Sequence, residues 1–261
     1  MLDKPVSTRC LFVHGWAMNQ RIWQPLVDNL PDWIDPVVID LPGHGSRSHE
    51  RFSDLQNLKE DLLVQVENHR TPDQAFVLVA WSLGALPCLS LLAENKLHID
   101  GLFVVSSNPC FVTRPDWGSG INSEVFDQFA KSLKADFSGT IRRFLSLQVK
   151  GSESGRAILR ELREKVLQQA EPDGLSLDAG LEILKTADLR DQLQQINKPV
   201  SWALGAQDGL VNAELAIELE VLMRNEEIKI YDKAGHAPFL SHTDEFLKQL
   251  TEFVAGITKE R

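Results

Sequence analysis

The chain has 261 residues, 43% of them hydrophobic, enough for one large α/β domain or a core carrying an inserted subdomain. Its formal charge of −10 excludes general nucleic-acid binding, which needs a basic footprint. No apolar run approaches the roughly 20 residues that span a bilayer, and the start, MLDKPVSTRC, has no secretory apolar segment, so a cytoplasmic protein without membrane partners is expected.

Short apolar runs that end in turn residues recur along the chain. CLFVHG (10–15) and PVVIDLPG (36–43) come first, each predicting a strand. Residues 53–69 predict a helix, with Ser53 and Gln56 at capping-box spacing and Leu55, Leu58, Leu62, Leu63 and Val66 on one face. FVLVAWS (76–82), GLFVVSS (101–107), PVSWALG (199–205) and IKIYDKAGH (228–236) predict further strands, and 241–256 a closing amphipathic helix. Alternating β and α patterns of this kind predict a mostly parallel sheet covered on both faces. About ninety residues separate Ser107 from Pro199, far more than joins a strand to a helix. Residues 122–169 read as helices with turn signals between them, which predicts a helical cap inserted into the core. The three cysteines, Cys10, Cys88 and Cys110, lack CxxC spacing and are expected to be buried thiols; no metal site and no cofactor are expected.

In VLVAWSLGAL (77–86) a hydroxyl ends an apolar run between Ala80 and Gly84. Serine there can be an ordinary helix cap. It can also be a nucleophile on a tight strand-to-helix turn, of pattern G-x-S-x-G, with Ala80 in place of the first glycine. Active sites of open parallel sheets lie at the carboxyl ends of strands, and the order Ser…Asp/Glu…His is expected on such a fold. Asp208 and His236 follow strands in that order. A serine hydroxyl needs an imidazole to take its proton, and the imidazole needs a carboxylate to hold its tautomer. Asp40 and Asp232 are rivals for the acid: Asp40 precedes the serine and Asp232 is too near His236 in the chain. Of the other histidines, His14 is expected to organise its loop, while His44 and His49 are lesser candidates for substrate contact. The N–H groups of Leu83 and Trp16 complete the set as an expected oxyanion hole.

With HGW (14–16), DLPGHGSRS (40–48), WSLGA (81–85), QDGLV (207–211) and GHAPFLSH (235–242), the chain resembles the α/β-hydrolase superfamily along nearly its whole length. SSNPCF (106–111), RFLSLQ (143–148) and GLEILKTADLR (180–190) are similar to cap and cap-flanking segments of the carboxylesterases of biotin synthesis. The resemblance implies an α/β-hydrolase core over 1–111 and 191–261 with a cap over 112–190. It implies a serine carboxylesterase that hydrolyses the methyl ester of pimeloyl-[acyl-carrier protein], with substrate contacts at Trp16, Ser82, Leu83, Phe144, Leu145, Ser146, Leu147, Gln148 and His236. The short segment before Cys10 implies that the superfamily's first strands are reduced or missing. A monomer is expected.

The cap region also carries a charge anomaly of its own. Residues 131–165 hold nine Lys/Arg against four Asp/Glu, a local excess of +5 in an acidic chain. Arg156, Arg160 and Arg163 recur on one helical side, which with Arg143 forms a stripe suited to an acidic partner. A charge run is also commonly a solvated helix face. Acyl-carrier proteins are acidic, so Arg143, Arg156 and Arg160 are the expected carrier contacts. Two other readings stay open: a hydrolase of small-molecule esters or carbon–carbon bonds that needs no carrier, and a ligand-binding protein on a hydrolase scaffold.

Overall fold

The computed structural model describes residues 7–95, 98–148, 157, 171–224 and 226–259. Six strands, β1 (Thr8–Val13), β2 (Ile34–Ile39), β3 (Ala75–Trp81), β4 (Gly101–Val105), β5 (Val200–Gly205) and β6 (Glu226–Tyr231), form one parallel sheet in the order β2-β1-β3-β4-β5-β6. All six were expected from the apolar runs, with ends displaced by a few residues: β2 stops at Ile39, and DLPG leaves the sheet as a loop. Among the described residues no strand precedes β1.

Burial follows position. Every residue of β3, β4 and β5 is buried, because both faces of a central parallel strand are covered. The edges β2 and β6 are half-exposed, and β6 carries Glu226, Glu227 and Lys229, charges that discourage pairing with another chain. The chain runs from β1 outward to β2 and returns past β1 to β3, so the sheet order reverses at the β1/β3 pair. A crevice opens at the carboxyl ends of strands at such a switch point.

Helices α1 (Leu55–His69), α2 (Ala85–Ala93), α3 (Ser123–Ala135), α4 (Phe137–Gln148), α5 (Gly174–Thr186), α6 (Leu215–Leu222) and α7 (Thr243–Lys259) complete the frame. The expected face of α1 is present, with Leu58, Leu62 and Val66 buried and Leu55 and Leu63 partly so. Its cap is Asp54 rather than Ser53: the carboxylate accepts the Asn57 N–H at 2.8 Å, while the Ser53 hydroxyl donates to Asn57 Oδ1. A charged acceptor at a helix N-terminus outcompetes a hydroxyl. Helix α7 packs Phe246 and Phe253 on Phe103 of β4, with ring centroids 5.3 and 5.7 Å apart. Its one buried polar side chain, Gln249, is bonded to Tyr231, Ser201 and Trp202. All three cysteines are buried and unpaired. No helix among the described residues is long and apolar enough to cross a membrane.

Helices α3, α4 and α5 all lie between β4 and β5 in the chain. They reach the carboxyl end of the sheet through Trp16, whose indole N–H donates to Leu177 O of α5 at 2.9 Å and whose ring meets Phe129 of α3 and Phe144 of α4 edge-on.

The loop after β2 closes on itself. The Asp40 carboxylate accepts from Gln20 N, Ser46 N and Ser46 Oγ at 2.7–2.8 Å. His14, wholly buried, accepts the Leu41 N–H on Nε2 at 3.0 Å, so its proton sits on Nδ1 and is donated to Gly15 O at 2.8 Å. That pattern keeps the ring neutral even though Nε2 is 3.8 Å from Asp40. His44 lies beside it, ring centroids 5.3 Å apart, with Nδ1 at 3.0 Å from Pro42 O.

Two predictions follow from this frame. A Cβ on Gly205, at the end of β5, would lie 2.0 Å from Gly235 O, and backbone cannot yield as a side chain does. Gly205→Ala should therefore lower stability by about 1–3 kcal/mol and lower Tm in a thermal melt. The second concerns acid. Burial, with His14 alongside, pushes His44 down to about 3 from an ordinary 6.5. The unfolded chain protonates this ring below pH 6.5 while the folded protein does not. Its contribution is thus complete above 6.5 and lost progressively as pH falls toward 3. At pH 5 the loss should be about 2 kcal/mol, and His44→Gln should remove that part of the pH dependence in urea titrations at pH 7.5 and 5.

Candidate active site

Ser82 directly follows β3 and opens a single 3-10 turn, Ser82–Gly84, that leads into α2. Its φ is +53°, a left-handed conformation that a side chain adopts only when its surroundings impose it. Those surroundings are visible. A Cβ on Gly84 would sit 2.4 Å from His14 O, so the turn lies directly against the end of β1. A Cβ on Gly15 would come within 3.1 Å of Ser82 Cβ, and Ser107 Oγ donates to Ser82 O at 2.9 Å. The need for a small residue two places after the serine thus comes from β1. Ala80 is inside β3, level with Val13 and Val104, where a methyl is accommodated.

His236 and Asp208 converge on this turn. His236 Nε2 is 2.9 Å from Ser82 Oγ, and Nδ1 is 2.7 Å from Asp208 Oδ2, with both side chains of that pair at most 1% exposed. A carboxylate only accepts, so Nδ1 carries the proton and Nε2 presents its lone pair to the serine hydroxyl. Asp208 Oδ1 accepts the N–H groups of Leu210 and Val211 at 2.8 and 3.1 Å, which fixes the carboxylate after β5. The indole N–H of Trp81 donates to His236 O at 2.8 Å and holds the histidine's backbone from the strand side. The rival acids are elsewhere: Asp232 is exposed on its turn, and Asp40 is occupied by the loop after β2. His49 is exposed, and His44 is buried in that same loop, stacked on Phe52.

Leu83 stands at the first turn after the serine, where backbone N–H groups have no partner within the helix. Trp16 follows the Gly15 carbonyl that His14 grips. In a trans peptide the carbonyl and the next N–H point opposite ways, so His14 sets the direction of the Trp16 N–H.

A cavity of about 200 Å³ opens beside Ser82. Trp16 and Phe144, both expected contacts, line it, together with Phe111, Phe126, Phe129 and Leu181, which sequence reading did not single out. No charged side chain is among the described residues of its wall. The signal in the sequence was the apolar spacing of Val125, Phe126 and Phe129, which marks a helix face without saying whether a core or a cavity lies against it. Ser146 is exposed and donates to Arg142 O within α4. Leu145, Leu147 and Gln148 share that helix, but their side chains lie outside the described residues. Arg156 and Arg160 are also outside the described residues. Arg143 is described: its side chain is 66% exposed, and Nη2 donates to Thr140 Oγ1 at 2.9 Å.

Known proteins resemble the chain at two levels. A curated esterase of Vibrio cholerae, named pimeloyl-[acyl-carrier protein] methyl ester esterase, is 37% identical over 93% of this chain and 92% of its own length. A protein of the same name from Serratia marcescens is 37% identical over 94% and 93%. Among solved structures, an esterase from Exiguobacterium antarcticum superposes with a TM-score of 0.86 at 17% identity, covering 97% of this chain and 93% of the other. A bromoperoxidase from Bacillus anthracis also gives 0.86, at 16% identity over 95% and 92%. The sequence pattern of the alpha/beta hydrolase family matches residues 10–249, and with this sheet and these relatives the chain belongs to that family.

Proposed function

We propose that the chain is a serine carboxylesterase that hydrolyses the methyl ester of pimeloyl-[acyl-carrier protein] to the free acid and methanol, a step of biotin synthesis. The observation that carries this reading is the 37% identity, over nearly the full length of both chains, to esterases named for that reaction. In this reading residues 112–190 form a cap over a core made of 1–111 and 191–261, and one chain supplies every reacting group.

Ser82 Oγ attacks the ester carbonyl as His236 Nε2 takes its proton, and Asp208 stabilises the imidazolium through Nδ1–H. The N–H groups of Leu83 and Trp16 receive the oxyanion. His236 then protonates the departing methoxide, and methanol leaves the acyl-enzyme. Water, deprotonated by His236, attacks the acyl carbonyl, and Ser82 recovers its proton as the acid departs. The uncharged cavity suits this substrate, since a neutral ester loses less on leaving water than a carboxylate does.

Incubation with synthetic pimeloyl-carrier methyl ester should release methanol and lower the carrier mass by one methylene in a mass spectrum; an unchanged carrier would refute the assignment. Ser82→Ala should lower kcat by about 10⁴-fold or more with the fold intact, and His236→Ala comparably, because the reacting groups work as a unit. Asp208→Asn should cost between about 10²- and 10⁴-fold, since the wrong histidine tautomer is then favoured.

Carrier recognition is assigned to Arg143, Arg156 and Arg160, in a segment whose charge is opposite to that of the chain as a whole. Replacing all three with alanine should raise KM for the carrier-linked ester by about tenfold at low salt while leaving kcat on p-nitrophenyl acetate unchanged. Added salt should bring the wild-type KM toward the mutant's, because exposed charges are screened over about 10 Å at 0.1 M ionic strength. Equal losses on both substrates would instead mean that these arginines hold the cap together. A hydrolase of free small-molecule esters would turn over free and carrier-linked substrates alike.

A further inference from the structure

The turn after β4 lies against the turn that carries Ser82. Trp81 pairs with Val105, so the residue that follows β4, Ser106, stands level with Ser82. Both have left-handed backbones, φ +53° at Ser82 and +41° at Ser106, and the two neighbouring strands end in sharp turns at the same height. Ser106 keeps its N–H on Ala203 O of β5 at 2.9 Å, which ties its turn to the sheet. Asn108 ties the far side, donating to Ser119 O at 2.8 Å and accepting the Cys110 N–H at 2.9 Å. Between these anchors Ser107 is wholly buried, and its hydroxyl donates to Ser82 O at 2.9 Å.

That carbonyl has another partner. The Ala85 N–H also reaches Ser82 O, although it is shared with Leu83 O. The Ser107 hydroxyl is thus not required to satisfy the carbonyl, and what it adds is direction. The C=O of Ser82 and the N–H of Leu83 are the two ends of one peptide plane and point opposite ways. A donor that holds the oxygen from the β4 side fixes where the hydrogen at the other end points, and by polarising the peptide it strengthens that N–H as a donor. His14 stands in the same relation to the second donor: its Nδ1–H is bonded to Gly15 O at 2.8 Å, on the peptide whose N–H belongs to Trp16. Each N–H of the proposed oxyanion pair therefore has a buried side chain on the carbonyl of its own peptide, one from the end of β1 and one from the turn after β4.

We propose that Ser107 is a positioning residue for the reaction: through the Ser82 carbonyl it aims the Leu83 N–H at the oxygen on which negative charge develops, as His14 aims the Trp16 N–H. The inference rests on the serine-esterase reading and adds to it a residue that touches neither substrate nor transferred proton. Its effect is felt when the carbonyl oxygen becomes an oxyanion and not while the ester is merely bound, so it acts on kcat rather than on KM.

The test uses hexyl trifluoromethyl ketone, isotope-labelled at the carbonyl carbon, beside p-nitrophenyl acetate. Ser82 Oγ adds to the ketone carbon, its proton passes to His236, and the former carbonyl oxygen becomes an oxyanion held where the transition-state oxygen would be. Ser107→Ala should lower kcat on p-nitrophenyl acetate by about tenfold with KM unchanged, less than the roughly 10²- to 10³-fold that follows loss of a whole donor. In the NMR spectrum of the adduct the labelled carbon reports ionisation of that oxygen, and the pH of this transition should rise by about 1 in Ser107→Ala. His236 faces the oxygen in both proteins, so its charge does not enter the difference. Ser107→Cys, with nearly the same shape and a weaker donor, should lie between the two in both measurements, and it carries the comparison if alanine prevents folding. An unchanged transition in both variants, whatever happens to kcat, would overturn the positioning role while adduct formation by the wild type kept the serine mechanism. Absence of any adduct in the wild type would overturn both.

Discussion

The site depends on one crowded contact, the turn after β3 pressed against the end of β1. Gly84 has no room for a methyl because His14 O is in the way, and Ser82 carries the left-handed backbone that this closeness requires. An isolated peptide would relax out of that conformation. Here the parallel register of β1 with β3 and the fully buried α2 hold it, so stability of the sheet is converted into the orientation of one hydroxyl. The same contact brings the Gly15–Trp16 peptide beside the serine. Ser82 and the proposed oxyanion donors are thus placed by a single packing event.

Much of this was legible in the sequence because it rests on local chemistry. Short apolar runs closed by turn residues fit the strands of a parallel sheet, and the turn residues after each run show where the carboxyl ends lie. Ser82, Asp208 and His236 could be chosen from the order of those ends, and the geometry brings all three within hydrogen-bonding distance. What escaped was whatever depends on which surfaces meet. Phe126 and Phe129 could be placed on a helix face, but their role in the cavity wall follows from how α3 lies over Trp16. The helix cap at Asp54 rather than Ser53 is a smaller case of the same kind: two adjacent residues could each cap, and the stronger acceptor won. The smallness of Gly84 was legible, but its cause was not, since the obstructing carbonyl is that of His14, just past the end of a strand some seventy residues earlier.

Charge is distributed in a way that separates two tasks. The cavity wall is uncharged, so the proposed reaction turns a neutral guest into an anionic one in surroundings that do nothing to retain it. Cations are concentrated instead at Arg143 and in the sequence that follows it, the segment proposed to meet the carrier, so that in the proposed reaction an acidic protein is drawn in without any charge approaching the reacting carbonyl. Association can then be tuned at the surface while the chemistry inside stays as it is. The neutral His14, locked by Leu41 and Gly15, adds an orienting group close to Ser82 without adding a positive charge.

Trp16 ties the turn after β1 and the helices inserted between β4 and β5 into one heritable unit. Its backbone belongs to the turn after β1, yet its indole is bonded to Leu177 and its ring is wedged against Phe129 and Phe144. A lineage cannot remodel α3, α4 and α5 for a new guest while leaving that turn untouched, because a helix moved by one residue would withdraw the acceptor from the indole. Exchanging these helices for a relative's would succeed only if residue 16 travelled with them. Drift in the outer helices is thereby held to what the innermost tryptophan tolerates.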